Sequence, residues 1–265
     1  MTDVGTVSRT SRGQKLLMAA AVVVATAAGI VGAIMLIAPT TTGTYFAWPL
    51  GPPGLAALVG GLYVVSAPVF FYAGTRSAVE VRGLAAAVLA FTIPTVIATF
   101  LHRDIFDFTR LMAMAWVVLF IASPITFALL LWSGRHARPL RNDPRLHRVA
   151  RVALAVLAIG FAGLAVWFWL ATDGPVPFDM APLGARFLAA WMAFFAVLAA
   201  WSALRPSRSE ARIPLLALLA YGVGGLLADG AHLGALGAGT IGYLAALVGF
   251  EVIAGLALLR GFRSD

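Results

Sequence analysis

Long apolar runs broken by clusters of charge, Pro and Gly dominate the chain, and their lengths carry the first inference. Eight runs stand out, at 15–38, 55–74, 84–101, 111–132, 150–171, 184–204, 213–229 and 239–259. Each is close to the ~20 residues that an α-helix needs to cross a hydrocarbon layer of ~30 Å. In lipid every backbone N–H and C=O must be satisfied within its own segment, which a helix does and a lone strand cannot. The pattern therefore predicts an all-α fold, a polytopic transmembrane helical bundle of eight spans. The chain divides into a tail at 1–14, a first four-helix half at 15–132, a basic linker at 133–149, a second four-helix half at 150–260 and a tail at 261–265. The first run follows a basic tail, as a secretory signal would, but its length of ~24 residues suits a retained span.

Composition sharpens this reading. Of 265 residues, 61% are hydrophobic and 11% charged, with a mean hydropathy of +0.93. A soluble domain carries roughly 25% charged residues, so a soluble globular protein is excluded. There is no cysteine, which removes disulfides, thiolate nucleophiles and cysteine-ligated metal or iron–sulfur centres.

The net charge of +8 changes meaning once each basic residue is assigned to a loop. Arg9, Arg12 and Lys15 lie in the first tail, and Arg76 and Arg82 in the second loop. Arg135, Arg138, Arg141, Arg145, Arg148 and Arg151 crowd the linker. Arg205, Arg208 and Arg212 occupy the sixth loop, and Arg260 and Arg263 the end of the chain. These sixteen fall on one side, against Arg103, Arg110 and Arg186 on the other. The excess marks the cytoplasmic side, with both termini there. Spread over every inner loop, the charge argues against nucleic acid as a partner. The linker could also attract anionic lipid headgroups, at ~1 kcal/mol per basic residue near the surface. A multi-pass protein of the bacterial plasma membrane is the expected localisation.

A shift of 129 residues lays Pro53, Gly54, Leu55 and Ala56 on Pro182, Leu183, Gly184 and Ala185, each stretch following a Pro-rich outer loop with Pro49 or Pro177. Spans one to four then correspond to five to eight, Thr92 falls on Tyr221, and His102 falls one residue short of His232. The expectation is a tandem four-plus-four duplication, with a pseudo-two-fold axis along the membrane normal.

Over Gly249 to Gly261, GFEVIAGLALLRG, the chain resembles the span of DoxX-like four-helix membrane proteins in which a Glu precedes small and apolar residues and a Gly. From Pro182 and Arg186 through Asp229 and Gly230 to Glu251 the second half resembles four-span relatives of that group. The whole chain looks like a multipass protein type of actinobacteria, in keeping with 18 Arg to one Lys. The resemblance implies association with membrane redox or quinone-linked systems. The group's Glu occupies an early span, whereas Glu251 lies in the last.

Several polar groups inside the spans call for partners. A lone carboxylate such as Glu251, about twelve residues into the eighth run, is costly in hydrocarbon. Arg186, at the outer end of the sixth, is its expected partner in an intramembrane charge pair. Thr92, Thr95, Thr99 and His102 recur at 3, 4 and 3 residues, and Tyr221, Gly225, Asp229 and His232 at 4, 4 and 3, each set on one helical face. The two stripes predict an outward-facing polar cavity between the halves; the plainer alternative is that the Thr hydroxyls bond back to their own helix. His102, Asp104, Asp107, Asp229 and His232 gather at outer span ends without a metal-binding motif, so no metal or other cofactor is assigned. Pro68, Pro94 and Pro124 are expected to kink the first half only, and Trp48, Trp132, Trp167 and Trp169 to form an aromatic belt at the interfaces.

Three functions stay open. The first is an accessory or scaffold subunit packed against a membrane-protein partner in a redox or quinone-linked complex. The second is a small-solute or ion transporter using the polar cavity. The last is an enzyme acting on lipid, and it is the weakest, because no catalytic residue can be assigned.

Overall fold

The structure is a computed structural model and describes residues 12–139, 142–171, 180–232, 240–260 and 262–263. Arg9, Arg141 and Pro177, used above, lie outside the described residues. The molecule is an all-α bundle. Its long helices are α1 (Arg12–Ile37), α3 (Pro53–Gly74), α4 (Ala78–Leu101), α5 (Leu111–Gly134), α6 (Arg148–Leu170), α7 (Pro182–Leu204), α8 (Arg208–Ala231) and α9 (Thr240–Arg260); α2 (Thr42–Tyr45) is one turn in the first outer loop. Seven of these, α1 and α3 to α8, are long and apolar enough to cross a membrane. In α9 the described apolar stretch is Leu247–Leu259.

Local chemistry sets the helix ends. Pro53 and Pro182 open α3 and α7 at positions where a missing N–H costs nothing. Gly51, with φ of 79°, makes the left-handed turn before α3. Ser77 and Glu80 cap α4 reciprocally, the Glu80 carboxylate accepting from the Ser77 N–H at 3.0 Å and its hydroxyl at 2.8 Å. Ser207 likewise donates to Glu210 at 2.9 Å at the start of α8. His102 and His232 stand at the ends of α4 and α8 in near-identical backbone conformations, φ −120° and −125°. Pro68, Pro94 and Pro124 sit inside continuous helices, and so does Pro214 in the second half. Prolines are therefore not confined to the first half.

Packing divides the helices into an inner and an outer set. In α3, 72% of the most apolar window is buried within the molecule, against 11% in α6. The inner set is α3, α4, α7 and α8; the outer set is α1, α5, α6 and α9. Within each half the outer helices clasp the inner ones in the same order: α1 on α3 and α4 on α5, then α6 on α7 and α8 on α9. Between halves α3 packs on α8, α4 on α7, and α4 on α8. From residue 81 to 102 the burial pattern of α4 and its cap repeats that of 211 to 232 position by position, except that Pro94 is half-buried where Gly224 is buried. The register is a shift of 130, one more than the spacing of the helix starts Pro53 and Pro182.

Gly61 and Gly224 face each other where α3 and α8 cross. A Cβ on Gly224 would lie 2.6 Å from the Gly61 carbonyl oxygen, and one on Gly61 would overlap the Gly224 carbonyl. Only bare backbone lets α3 and α8 cross there, a use of small residues common in membrane bundles, where no hydrophobic force draws helices together.

The linker is pinned on one face. Its Arg145–Leu146 strand (β1) pairs antiparallel with Phe262–Arg263 (β2) after α9. The Leu146 N–H donates to Pro206 O and the Arg208 N–H to Pro144 O, both at 2.8 Å. Asp143 accepts from the Ser209 N–H at 2.9 Å, capping α8. The linker, the α7–α8 turn and the chain end after α9 therefore meet. At the opposite end Trp48 is buried, not part of an aromatic belt. Its ring lies 4.8 Å from Trp116, 5.3 Å from Phe106 and 5.4 Å from Phe187, centroid to centroid, in an aromatic plug over the helix ends. Trp132 and Trp167 are exposed.

Candidate functional site

An internal cavity of about 320 Å³ lies among α1, α3, α4 and α5, closed from behind by α7 and α8. Its α1 wall joins Val24 and Val31 to Ala21, Ala25, Ala27 and Ala28, whose short side chains leave the space open. The remaining walls are largely aromatic. Phe91 lies 4.4 Å from Trp191 and 5.7 Å from Phe120, Phe120 stacks on Trp116 at 4.0 Å, and Trp191 lies 5.5 Å from Tyr221. Three of its lining residues, Ala27 on α1, Tyr45 on α2 and Met112 on α5, are also exposed on the outer surface. The space thus reaches the lipid-facing side between α1 and α5.

Polar groups at the cavity are few and mostly committed. The Ser66 hydroxyl on α3 lies 3.0 Å from the Tyr221 hydroxyl on α8 and 3.2 Å from its own Leu62 carbonyl. Thr92 lines the cavity but donates to Val88 O at 2.8 Å. Of the residues in the two polar stripes, Thr92 and Tyr221 line this cavity. Thr95 and Thr99 are buried in α4 and donate to Phe91 O at 2.7 Å and Thr95 O at 2.8 Å. Thr99 also accepts from the Trp116 indole N–H at 3.1 Å, tying α4 to α5. The stripe of α4 is thus satisfied by its own helix, as hydroxyls in apolar surroundings commonly are.

Arg186 and Glu251, expected as a pair, have different neighbours. Arg186, in the first turn of α7, meets the end of α4 and donates to Nε2 of His102; its guanidinium also lies 5.9 Å from the Trp169 ring centre. Burial and the Arg186 charge push the His102 imidazole below its usual pKa, with Asp104 opposing. The ring is neutral at pH 7 and carries its proton on Nδ1. His232 donates from Nε2–H to Leu36 O at 2.6 Å. The Glu251 carboxylate lies against Gly222 of α8, in space that a Cβ there would fill. Neither of its oxygens has a hydrogen-bond partner among the described residues. Asp229 is buried one turn before His232. Asp107 accepts from the Thr109 N–H at 3.0 Å and from its hydroxyl, which hold its carboxyl below the usual range. Among the described residues no three His, Asp or Glu side chains gather as a metal site.

Among the described residues an ion pair forms between two other side chains. Arg82 Nη2 on α4 lies 2.7 Å from Glu210 Oε1 on α8, with side chains 12% and 6% exposed. Arg82 also donates to Gly134 O at 3.3 Å. The signal was present: a shift of 130 lays Ser77, Glu80 and Arg82 on Ser207, Glu210 and Arg212, a repeated Ser-x-x-Glu-x-Arg at the start of matching helices. A shift of 129 hides it. Compared with family models, with curated proteins and with solved structures, the chain finds no match.

Proposed function

We propose that the protein is an eight-span accessory subunit of a redox or quinone-linked system in the bacterial plasma membrane, and that it holds an apolar, ring-bearing molecule of the quinone type in the cavity between α1 and α5. The observation that carries this reading is the cavity itself. Its volume lies at the lower end of small-molecule sites, its walls are rings that stack on a flat ligand, and its hydroxyls are few. A mouth on the lipid-facing side suits a ligand that dissolves in the bilayer. The resemblance to DoxX-like proteins belongs to the same proposal and rests on Glu251 and its neighbours in sequence.

A tandem duplication is part of the reading. The repeated Ser-x-x-Glu-x-Arg, the matched burial of α4 and α8 and the matched packing order of the two halves support it. The basic asymmetry supports cytoplasmic termini, and the meeting of the linker with the chain end supports an even number of crossings in the second half. The basic linker attracts anionic lipid headgroups as a diffuse surface. Transport of a small polar solute is the weaker alternative, since the α4 hydroxyls that would line its path are engaged within the helix.

Trp116 and Trp191 border the cavity and report on occupancy. Titration of the purified protein with decylubiquinone should quench tryptophan fluorescence saturably, and Ala28→Phe or Ser66→Phe, each filling the cavity, should abolish the saturable part. Quenching that stays linear in quinone and equal in all three proteins would sink the proposal.

A further inference from the structure

Where α3 and α8 meet near the linker, two guanidinium groups converge on one phenol ring. Arg76, in the turn after α3, stands 4.2 Å above the Tyr72 ring centre, and Arg212, one turn into α8, stands 5.9 Å from it. Two cations gathered at one ring make a site that favours an anion. Of the carboxylates nearby, Glu80 accepts from the Ser77 N–H and hydroxyl, Glu210 from Arg82 and Ser207, and Asp143 from the Ser209 N–H and hydroxyl. No ion pair is formed by Arg76 or Arg212 among the described residues. The Tyr72 hydroxyl and the Arg76 Nε–H are enclosed, and neither finds a hydrogen-bond partner there.

The other half supplies an internal comparison. Trp201 of α7 and Arg205, just after its end, match Tyr72 and Arg76 at a shift of 129, and Arg82 matches Arg212 at 130. There too the first Arg lies over the ring, at 6.0 Å, but the incoming guanidinium is neutralised by Glu210 at 2.7 Å. The two corners have the same frame; among the described residues the incoming guanidinium of the Trp201 corner has an ion pair and that of the Tyr72 corner has none.

We infer that the corner formed by Tyr72, Arg76 and Arg212 binds a phosphate group, supplied by the headgroup of an anionic phospholipid. Two guanidiniums and a phenol O–H offer donors to the oxygens of a phosphodiester, and charge-assisted bonds of this kind are the strong ones. The lipid source follows from the position. Tyr72 is two residues from the end of α3, where an aromatic ring marks headgroup depth. This site is separate from the cavity and does not depend on what the cavity holds.

The test is lipid retention by the full-length protein, read by native mass spectrometry after reconstitution in mixed phosphatidylglycerol and phosphatidylcholine. One phosphatidylglycerol should be retained in preference to phosphatidylcholine. Arg76→Gln with Arg212→Gln should cut that retention at least tenfold. Tyr72→Phe, which keeps the ring and is the safer variant for folding, should cut it several-fold. Arg138→Gln with Arg148→Gln, in and beside the exposed linker, should leave it unchanged. Equal loss from the linker variant would reassign the lipid to diffuse linker charge and overturn the site. Equal retention of the two lipids would overturn its choice of an anion. Displacement of the lipid by millimolar inorganic phosphate would overturn the lipid source in favour of free phosphate.

Discussion

Glu210 and Arg82 place opposite charges where water is scarce, and the cost of separating them exceeds the benefit of having them. Removing one partner of a buried pair strands the other, at about 3 to 5 kcal/mol. Arg82→Ala and Glu210→Ala should therefore each lower thermal stability in detergent sharply, whereas the double change should cost clearly less than the sum; additive losses would remove the coupling. His102 gives a second test with a defined sign. Its folded pKa lies below the ordinary 6.5, so the unfolded chain binds more protons as pH falls through that value. Stability should be full above about pH 6.5 and decline below it. His102→Gln, whose amide oxygen can accept from Arg186 without titrating, should flatten that decline in a melting series from pH 8 to 5.

At the scale of the element, the spans were legible because an apolar run is a local property. The expected run at 111–132 and the helix Leu111–Gly134 share their start. The misses came where a partner far along the chain changes the cost of a charge. Hydropathy starts the third and seventh spans at 84 and 213, but α4 begins at Ala78 and α8 at Arg208, because Arg82 and Glu210 neutralise each other across the bundle. Trp48 looked interfacial for the same reason: nothing within a loop tells it that Trp116 and Phe187, far along the chain, will enclose it. Arg186 found His102 instead of Glu251 because helix order around the bundle, which no run length encodes, sets its neighbour. The crossing of α3 and α8 offers the test at this scale. Gly224→Ala forces a methyl onto the Gly61 carbonyl, a backbone atom that cannot swing aside, and overpacking of this kind costs typically 1 to 3 kcal/mol. Ala at Gly160, which meets nothing within 4 Å, should be tolerated in the same melting assay.

For the molecule as a whole, the pairing of Arg145–Leu146 with Phe262–Arg263 constrains topology. Reporters fused near residue 140 and at the chain end should occupy the same side, the cytoplasm, and one near residue 175 the other. A chain-end reporter active outside would require an odd number of crossings after the linker and would break that pairing.

The same architecture has a consequence for biogenesis. Each inner helix of the first half finds an inner neighbour in the second, α3 on α8 and α4 on α7, so neighbours in the bundle are distant in the order of synthesis. At 5 to 20 residues per second, roughly ten to thirty seconds separate the emergence of α3 from that of α8. During that interval Gly61 and the Ser66 hydroxyl face lipid or whatever attends the nascent chain, and the linker strand has no mate. The first half is therefore an orphan awaiting its counterpart. Lesions confined to the last hundred residues should be felt as clearance of the entire polypeptide by membrane quality control, not as a stable half-molecule.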